Sequence, residues 1–178
     1  MKNVLLGVTG SIAAYKAAEI ANTLTKNGCQ VDVILTKNAQ EFITSLTFQT
    51  LTKRKVYTGM FDAVLFNEVE HISLAKRADA CLVAPATANI IGKLAGGVAD
   101  DMLSTVLMAV RDVPVYICPA MNTAMYENHI VQENIAKLKK YGYLFIEPKE
   151  SILACGDLGK GALADVEVIT KTVLEHFK

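Results

Sequence analysis

Short runs that are apolar at every position, rather than at every second one, alternate along this chain with runs of helical spacing, and few folds accommodate that pattern. Val4 to Val8 is the first apolar run, and Ser11 to Asn27 follows with apolar residues at helical spacing (Ile12, Tyr15, Ala18, Ile20, Leu24) until Gly28 stops it. Val31 to Leu35 is the next strand, with a second helix expected near Lys37. Residues 44 to 66 read as a short helix and an edge strand. Helix Ile72 to Ala78, strand Ala80 to Ala84 and helical segments Ile90 to Leu94 and Met102 to Val110 come next. Strand Val113 to Cys118, a helix from about Glu127 to Tyr141, strand Tyr143 to Ile146 and a helix Asp165 to Phe177 complete the reading. Strands apolar throughout are covered on both faces. The pattern therefore predicts the α/β class, with a single doubly wound (flavodoxin-like or Rossmann-like), mostly parallel sheet and helices on both faces.

The 178 residues suit one domain over 1–178, and no Pro/Gly-rich linker divides them. Eighteen basic residues balance eighteen acidic ones, so the charge gives no footprint for nucleic acid or an anionic membrane. The apolar stretches fall well short of the roughly 20 residues of a membrane span, and no signal-peptide cleavage site follows the start. A cytoplasmic location with reduced thiols is the expectation. Cys29, Cys81, Cys118 and Cys155 form no Cys-x-x-Cys pair, so no metal site is suggested. The first three lie in or beside strands and read as small core residues.

In such folds ligands bind beyond the carboxyl ends of the strands. Gly10 and Ser11 join the first strand to the first helix. Gly10 permits a tight turn and close approach, Ser11 can cap the helix, and the free amides of a first turn attract an anion. Gly-x-Gly-x-x-Gly and the P-loop signature are both absent, and Thr36 stands where a dinucleotide fold carries an acidic residue. Thr36 reads as a helix cap or a ligand contact, and a mononucleotide such as FMN fits better than NAD or ATP. Ala86, Thr87, Ala88 and Asn89 leave room for a flat ring and offer hydrogen-bonding groups, or form a turn and cap. Asp100 and Asp101 read as caps of the next helix. In Pro119-Ala-Met-Asn-Thr-Ala-Met-Tyr126, Asn122 can hold a carboxylate between Met121 and Met125, or serve as a turn residue between core methionines. His71 opens a helix as a surface or functional residue, and His129 and His176 read as surface residues. Cys155 differs from the other cysteines because it sits in a loop with three glycines after the last strand, placed to give or take a proton. Lys160 beside it can favour a thiolate or attract an anion.

Together the early His71, Pro-x-Met-Asn-x-x-Met and Ala-Cys-Gly-Asp-x-Gly-x-Gly resemble the flavin-containing cysteine decarboxylase family, from Gly10 to Ala162. The family's Met-Asn motif ends in Trp, where this chain has Tyr126. The resemblance implies FMN held by Gly10, Ser11, Thr36, Ala86, Thr87, Ala88, Asn89 and Ala120. It implies redox-neutral decarboxylation of 4'-phosphopantothenoylcysteine to 4'-phosphopantetheine in coenzyme A biosynthesis. A cysteinyl CH2–SH is oxidised to a thioaldehyde, carbon dioxide leaves, and the ene-thiol is reduced with a proton from Cys155. Asn122, with Met125, would bind substrate, and His71 would act as base or positioning group. The family forms trimers or dodecamers built of trimers, with flavin at subunit contacts, so His71 could serve a neighbour's site. A separate ligase making the substrate is the further expectation. A peptidyl-cysteine decarboxylase, a flavin prenyltransferase and a non-enzymatic electron carrier are the alternatives.

Overall fold

The computed structural model describes residues 1–60, 69–152 and 158–178. Strands β1 (Asn3–Val8), β2 (Gln30–Leu35), β3 (Val56–Tyr57), β4 (Ala80–Ala86), β5 (Val115–Pro119) and β6 (Leu144–Phe145) form one parallel sheet in the order 3-2-1-4-5-6. Of the two doubly wound arrangements anticipated, this is the Rossmann order, and its reversal falls between β1 and β4. Alternate residues of each strand feed two cores. Val4, Leu6, Val31, Val33 and Leu82 pack under helices α1 (Ala14–Lys26), α2 (Ser45–Thr52) and α8 (Val166–Glu175). Leu5, Ile34, Cys81 and Val83 pack under α3 (Glu70–Arg77), α4 (Ala88–Gly96), α5 (Met102–Ala109) and α7 (His129–Lys140). This is why the central strands show no alternation: both faces are dry. Both edge strands are only two residues long, which limits unwanted pairing.

Several expectations need correction. The first helix begins at Ala14, because 11–13 form a separate turn in which Ser11 Oγ accepts from the Ala13 amide at 3.3 Å; Ser11 therefore caps that turn. Near Lys37 there is only a 3-10 turn, Ala39–Glu41, before α2. The helix expected from about Glu127 to Tyr141 is present as α7, which Asn128 caps by accepting from the Ile130 amide at 2.9 Å, and a separate four-residue helix, α6 (Thr123–Tyr126), precedes it. Residues 158–162 of the segment expected as a glycine-rich loop form one strand, β8 (Leu158–Ala162), of an antiparallel pair with β7 (Lys149–Ile152). Its strands lack the apolar pattern by which strands are recognised. Cys29, Cys81 and Cys118 are buried as expected, and burial alone pushes the Cys81 thiol up to about 12. Among the described residues no helix is long and apolar enough to cross a membrane.

A buried charge cluster went unnoticed in the sequence. Asp32, 4% exposed in the middle of β2, accepts from Arg54 Nε at 2.8 Å and Arg77 Nε at 2.7 Å. Arg77 also donates to the Tyr57 hydroxyl at 3.0 Å, so the cluster pins α3 and the turn before β3 to the sheet. Asp32→Ala leaves two half-buried guanidiniums unpaired. It is expected to cost about 2–3 kcal/mol, at the low end for a broken buried pair because the arginines keep some water. Thermal unfolding checks this, and an unchanged midpoint would remove the cluster from the account.

Candidate active site

The sheet's reversal point opens onto two clefts. The first, of about 370 Å3, lies over the carboxyl ends of β1, β2 and β4 and is lined by Gly10, Thr36, Lys37, Thr87, Ala88 and Asn89, with Met125. Thr9 builds its floor: its hydroxyl donates to the Pro85 carbonyl at 2.7 Å and accepts from the Thr87 amide at 3.1 Å, locking the two strand ends together. The sequence reading had not singled out Thr9. The only hint was a hydroxyl beside Gly10, since its partner lies 76 positions away. Gly10 has a further reason besides the one expected. A Cβ there would stand 2.4 Å from Asn38 Cβ, so the glycine lets the β1–α1 turn close on the turn after β2. Thr36 Oγ1 accepts from the Ala39 amide at 3.3 Å, as a cap of the 3-10 turn.

The same cleft is rich in donors. Thr87 is the N-cap of α4, and the first backbone bond into that helix comes from Ile91, so the amides of Ala88, Asn89 and Ile90 precede it. Lys93 lines the cleft with its ammonium 2.6 Å from Asp100 and 2.7 Å from Asp101. Burial works against its charge, but the bonds to both aspartates outweigh it and hold its pKa above the ordinary lysine value. Asp101 also caps α5, accepting from the Ser104 amide at 2.8 Å, which agrees with its reading as a cap. Helix amides and lysines over small side chains are the donor set a phosphate monoester needs, and the residues present fit a mononucleotide.

The second cleft, of about 560 Å3, is lined by Ser11, Lys16, Ala120, Met121, Asn122, Lys149 and Gly161. Asn122 caps α6, its Oδ1 accepting from the Ala124 amide at 2.8 Å, which fixes the orientation of the carboxamide. Met125 is half exposed and lines the first cleft, so it is not core filler; Met121 packs partly on the core and lines the second. The expected cofactor residues are thus divided. Gly10, Thr36, Thr87, Ala88 and Asn89 meet in the first cleft, and Ser11 and Ala120 face the second. Ala86 is fully buried and lines neither, although its carbonyl accepts from the Ala120 amide at 3.0 Å. His71, second residue of α3, also lines neither cleft.

Cys155 lies outside the described residues, but the hairpin on either side of it is tied to Asn122. The Met121 amide donates to the Gly161 carbonyl at 3.0 Å. A Cβ on Gly161 would lie 2.2 Å from the Met121 carbonyl oxygen, and one on Gly159 would lie 2.3 Å from Thr123 Oγ1. The glycines of the Cys155 motif therefore let β8 lie directly on the Asn122 motif. The Lys160 ammonium stands 3.5 Å from Glu147 Oε2 and 5.5 Å from the centre of the Tyr126 ring. The Tyr126 hydroxyl donates to the same Glu147 oxygen at 2.6 Å. Burial raises the pKa of Glu147, but bonds from Lys139 and Tyr126 outweigh that and hold it below the usual carboxylate range.

Comparison with known proteins places this geometry among others. Residues 1–178 match the family described as Flavoprotein. The chain is 50% identical over 176 residues to the probable phosphopantothenoylcysteine decarboxylase of Streptococcus mutans, covering 98% of each. It is 49% identical to the coenzyme A biosynthesis bifunctional protein CoaBC of Bacillus subtilis, covering 99% of this chain and 43% of that longer protein. Among solved structures it resembles a cysteine-to-serine mutant of PPC decarboxylase complexed with pantothenoylaminoethenethiol, with a TM-score of 0.89, 31% identity and 99% and 98% of the two chains covered. The peptidyl-cysteine decarboxylase EpiD matches with a TM-score of 0.83 and 26% identity over 98% and 99%.

Proposed function

Because the chain belongs to the flavoprotein family, we propose that it is the carboxy-lyase that converts 4'-phosphopantothenoylcysteine to 4'-phosphopantetheine with bound FMN, without net oxidation. The observation that carries the reading is the junction of β8 with the Met121–Asn122 segment beside a cleft equipped for a phosphate monoester. Half-identity to the streptococcal decarboxylase supports the substrate. So does Lys16, which lines the second cleft and suits an anionic substrate; Lys149 on the same cleft is ion-paired with Asp165.

Gly10, Thr36, Thr87, Ala88 and Asn89 would hold the FMN phosphate end, with Ser11, Ala120 and the backbone of Ala86 bordering the flavin. When bound, FMN would supply a hydride acceptor for the cysteinyl CH2–SH and a hydride donor for the later reduction. Asn122 holds the substrate carboxylate; its Oδ1 faces the α6 amide, so Nδ2 is the end that meets the anion. Met125 shields the site from water. Once the sulfur-bearing carbon is a thioaldehyde, the carboxylate is beta to a C=S bond that accepts the electron pair released with carbon dioxide. Cys155 then gives the proton to the carbon chain as the ene-thiol is reduced. His71 lines neither cleft of its own chain, and in a trimer, alone or within a dodecamer, it would act as base or positioning group in a neighbour's site.

Incubation with phosphopantothenoylcysteine is expected to give carbon dioxide and phosphopantetheine in equal amounts without added oxidant, from protein showing the yellow flavin bands. A requirement for a stoichiometric electron acceptor would refute the redox-neutral cycle. Activity confined to peptides ending in cysteine would reassign the substrate.

A further inference from the structure

We propose that Glu147 is a positioning residue for this reaction, gripping Tyr126 and Lys160 so that the β7–β8 hairpin stays docked on the Asn122 segment. The inference rests on the function proposed above. Glu147 stands between β6 and β7, and its carboxylate gathers side chains from three other elements: Tyr126 of α6 at 2.6 Å, Lys139 of α7 at 2.8 Å and Lys160 of β8 at 3.5 Å. The Lys160 ammonium also lies 5.5 Å from the Tyr126 ring centre, which closes the set. Exposed ion pairs alone contribute little, and both lysines are about half exposed. Tyr126 is different: it is only 6% exposed and packed in the core, so its hydroxyl presents a fixed post to the carboxylate.

The two ends of this grip straddle the contact that matters. Tyr126 closes the short helix that Asn122 opens. Lys160 sits between Gly159 and Gly161, the residues whose backbone lies on Thr123 and Met121. Glu147 thus holds both sides of the junction from behind while touching neither cleft. Tyr126 occupies the place of the Trp in the motif it resembles. In this chain the donor to Glu147 from that place is the Tyr126 hydroxyl.

The test uses the intact protein with Glu147→Gln, Tyr126→Phe and the double variant, reading kcat, KM, FMN content and amide hydrogen exchange. Each single change is expected to lower kcat about tenfold, the weight of one charge-assisted hydrogen bond. KM and FMN content should stay within about twofold, since neither residue lines a cleft. The double variant should be no more than about twofold worse than Glu147→Gln, because the charge-assisted bond to Tyr126 is lost in every variant and the exposed ion pairs to Lys139 and Lys160 lost with Glu147 contribute little. Exchange of the Met121 amide and the β8 amides should rise about tenfold while β1 and β4 keep their protection. Unchanged kcat, additive losses in the double variant, or exchange rising equally in β1 would each overturn the proposal. A wild-type protein that released no carbon dioxide would count against the decarboxylase reading, whereas the exchange pattern would still decide the role of Glu147.

Discussion

Gly161→Ala is expected to lower kcat/KM about a hundredfold, the scale on which a displacement of about 1 Å at a substrate-binding group is felt. The added Cβ would lie 2.2 Å from the Met121 carbonyl oxygen and 3.4 Å from the Met121 carbonyl carbon and the Thr123 nitrogen. All three are backbone atoms, so no side chain can rotate out of the way. β8 must retreat, the 3.0 Å bond from the Met121 amide to the Gly161 carbonyl is lost, and Asn122, next in the chain, moves with its anchor. A stability loss of about 3 kcal/mol should accompany this, the upper part of the usual range for overpacking. Gly161 is not among the residues with positive φ, so the penalty is steric. Gly159→Ala should be milder, because its nearest obstacle is the Thr123 side chain, which can turn. Steady-state kinetics with thermal unfolding checks the order. A folded Gly161→Ala protein with normal kcat/KM would show that the junction does not set Asn122.

For Cys155→Ser the expected result is a stalled reaction. Phosphopantetheine formation should fall about a thousandfold, within the range for loss of a general acid, while about one carbon dioxide per active site is still released in a first turnover. Oxidation of the CH2–SH group and departure of carbon dioxide need no proton from Cys155, so the chain should accumulate the ene-thiol and stop before its reduction. A serine hydroxyl is a far weaker acid than a thiol and does not replace it. The solved complex of a PPC decarboxylase cysteine-to-serine mutant with pantothenoylaminoethenethiol concerns a related protein and supports the expectation. Rapid-quench measurement of carbon dioxide and thiol products checks it. Full turnover by the variant would remove Cys155 from the mechanism.

Much of the fold was legible because buried parallel strands advertise themselves. Val4 to Val8 and Val31 to Leu35 are apolar nearly throughout, since each face meets a helix layer. The exception inside that pattern, Asp32, escaped notice because its partners come from 22 and 45 positions away. The strand β8, inside the segment expected as a loop, is hidden in the sequence for a related reason. Its glycines exist to let β8 approach Met121 and Thr123, and a missing side chain leaves no hydropathy signal. Lys160 reads in the sequence as favouring a thiolate or attracting an anion, and only the fold shows its ammonium beside Glu147.

Cys155 shows the same division. The chain's order of residues by itself determined the fold class, the carboxyl edge as the place of chemistry and the motifs that Cys155, Asn122 and His71 belong to. These depend on local spacing and on residue chemistry, both of which a linear chain carries. Only the tertiary structure decided that Gly159 and Gly161 let β8 lie on the segment around Asn122, that the expected cofactor residues divide between two clefts, and that Tyr126, Glu147 and Lys160 brace the junction. Those contacts join residues 13 to 40 positions apart, and their partners are fixed by how layers pack rather than by any periodicity in the sequence.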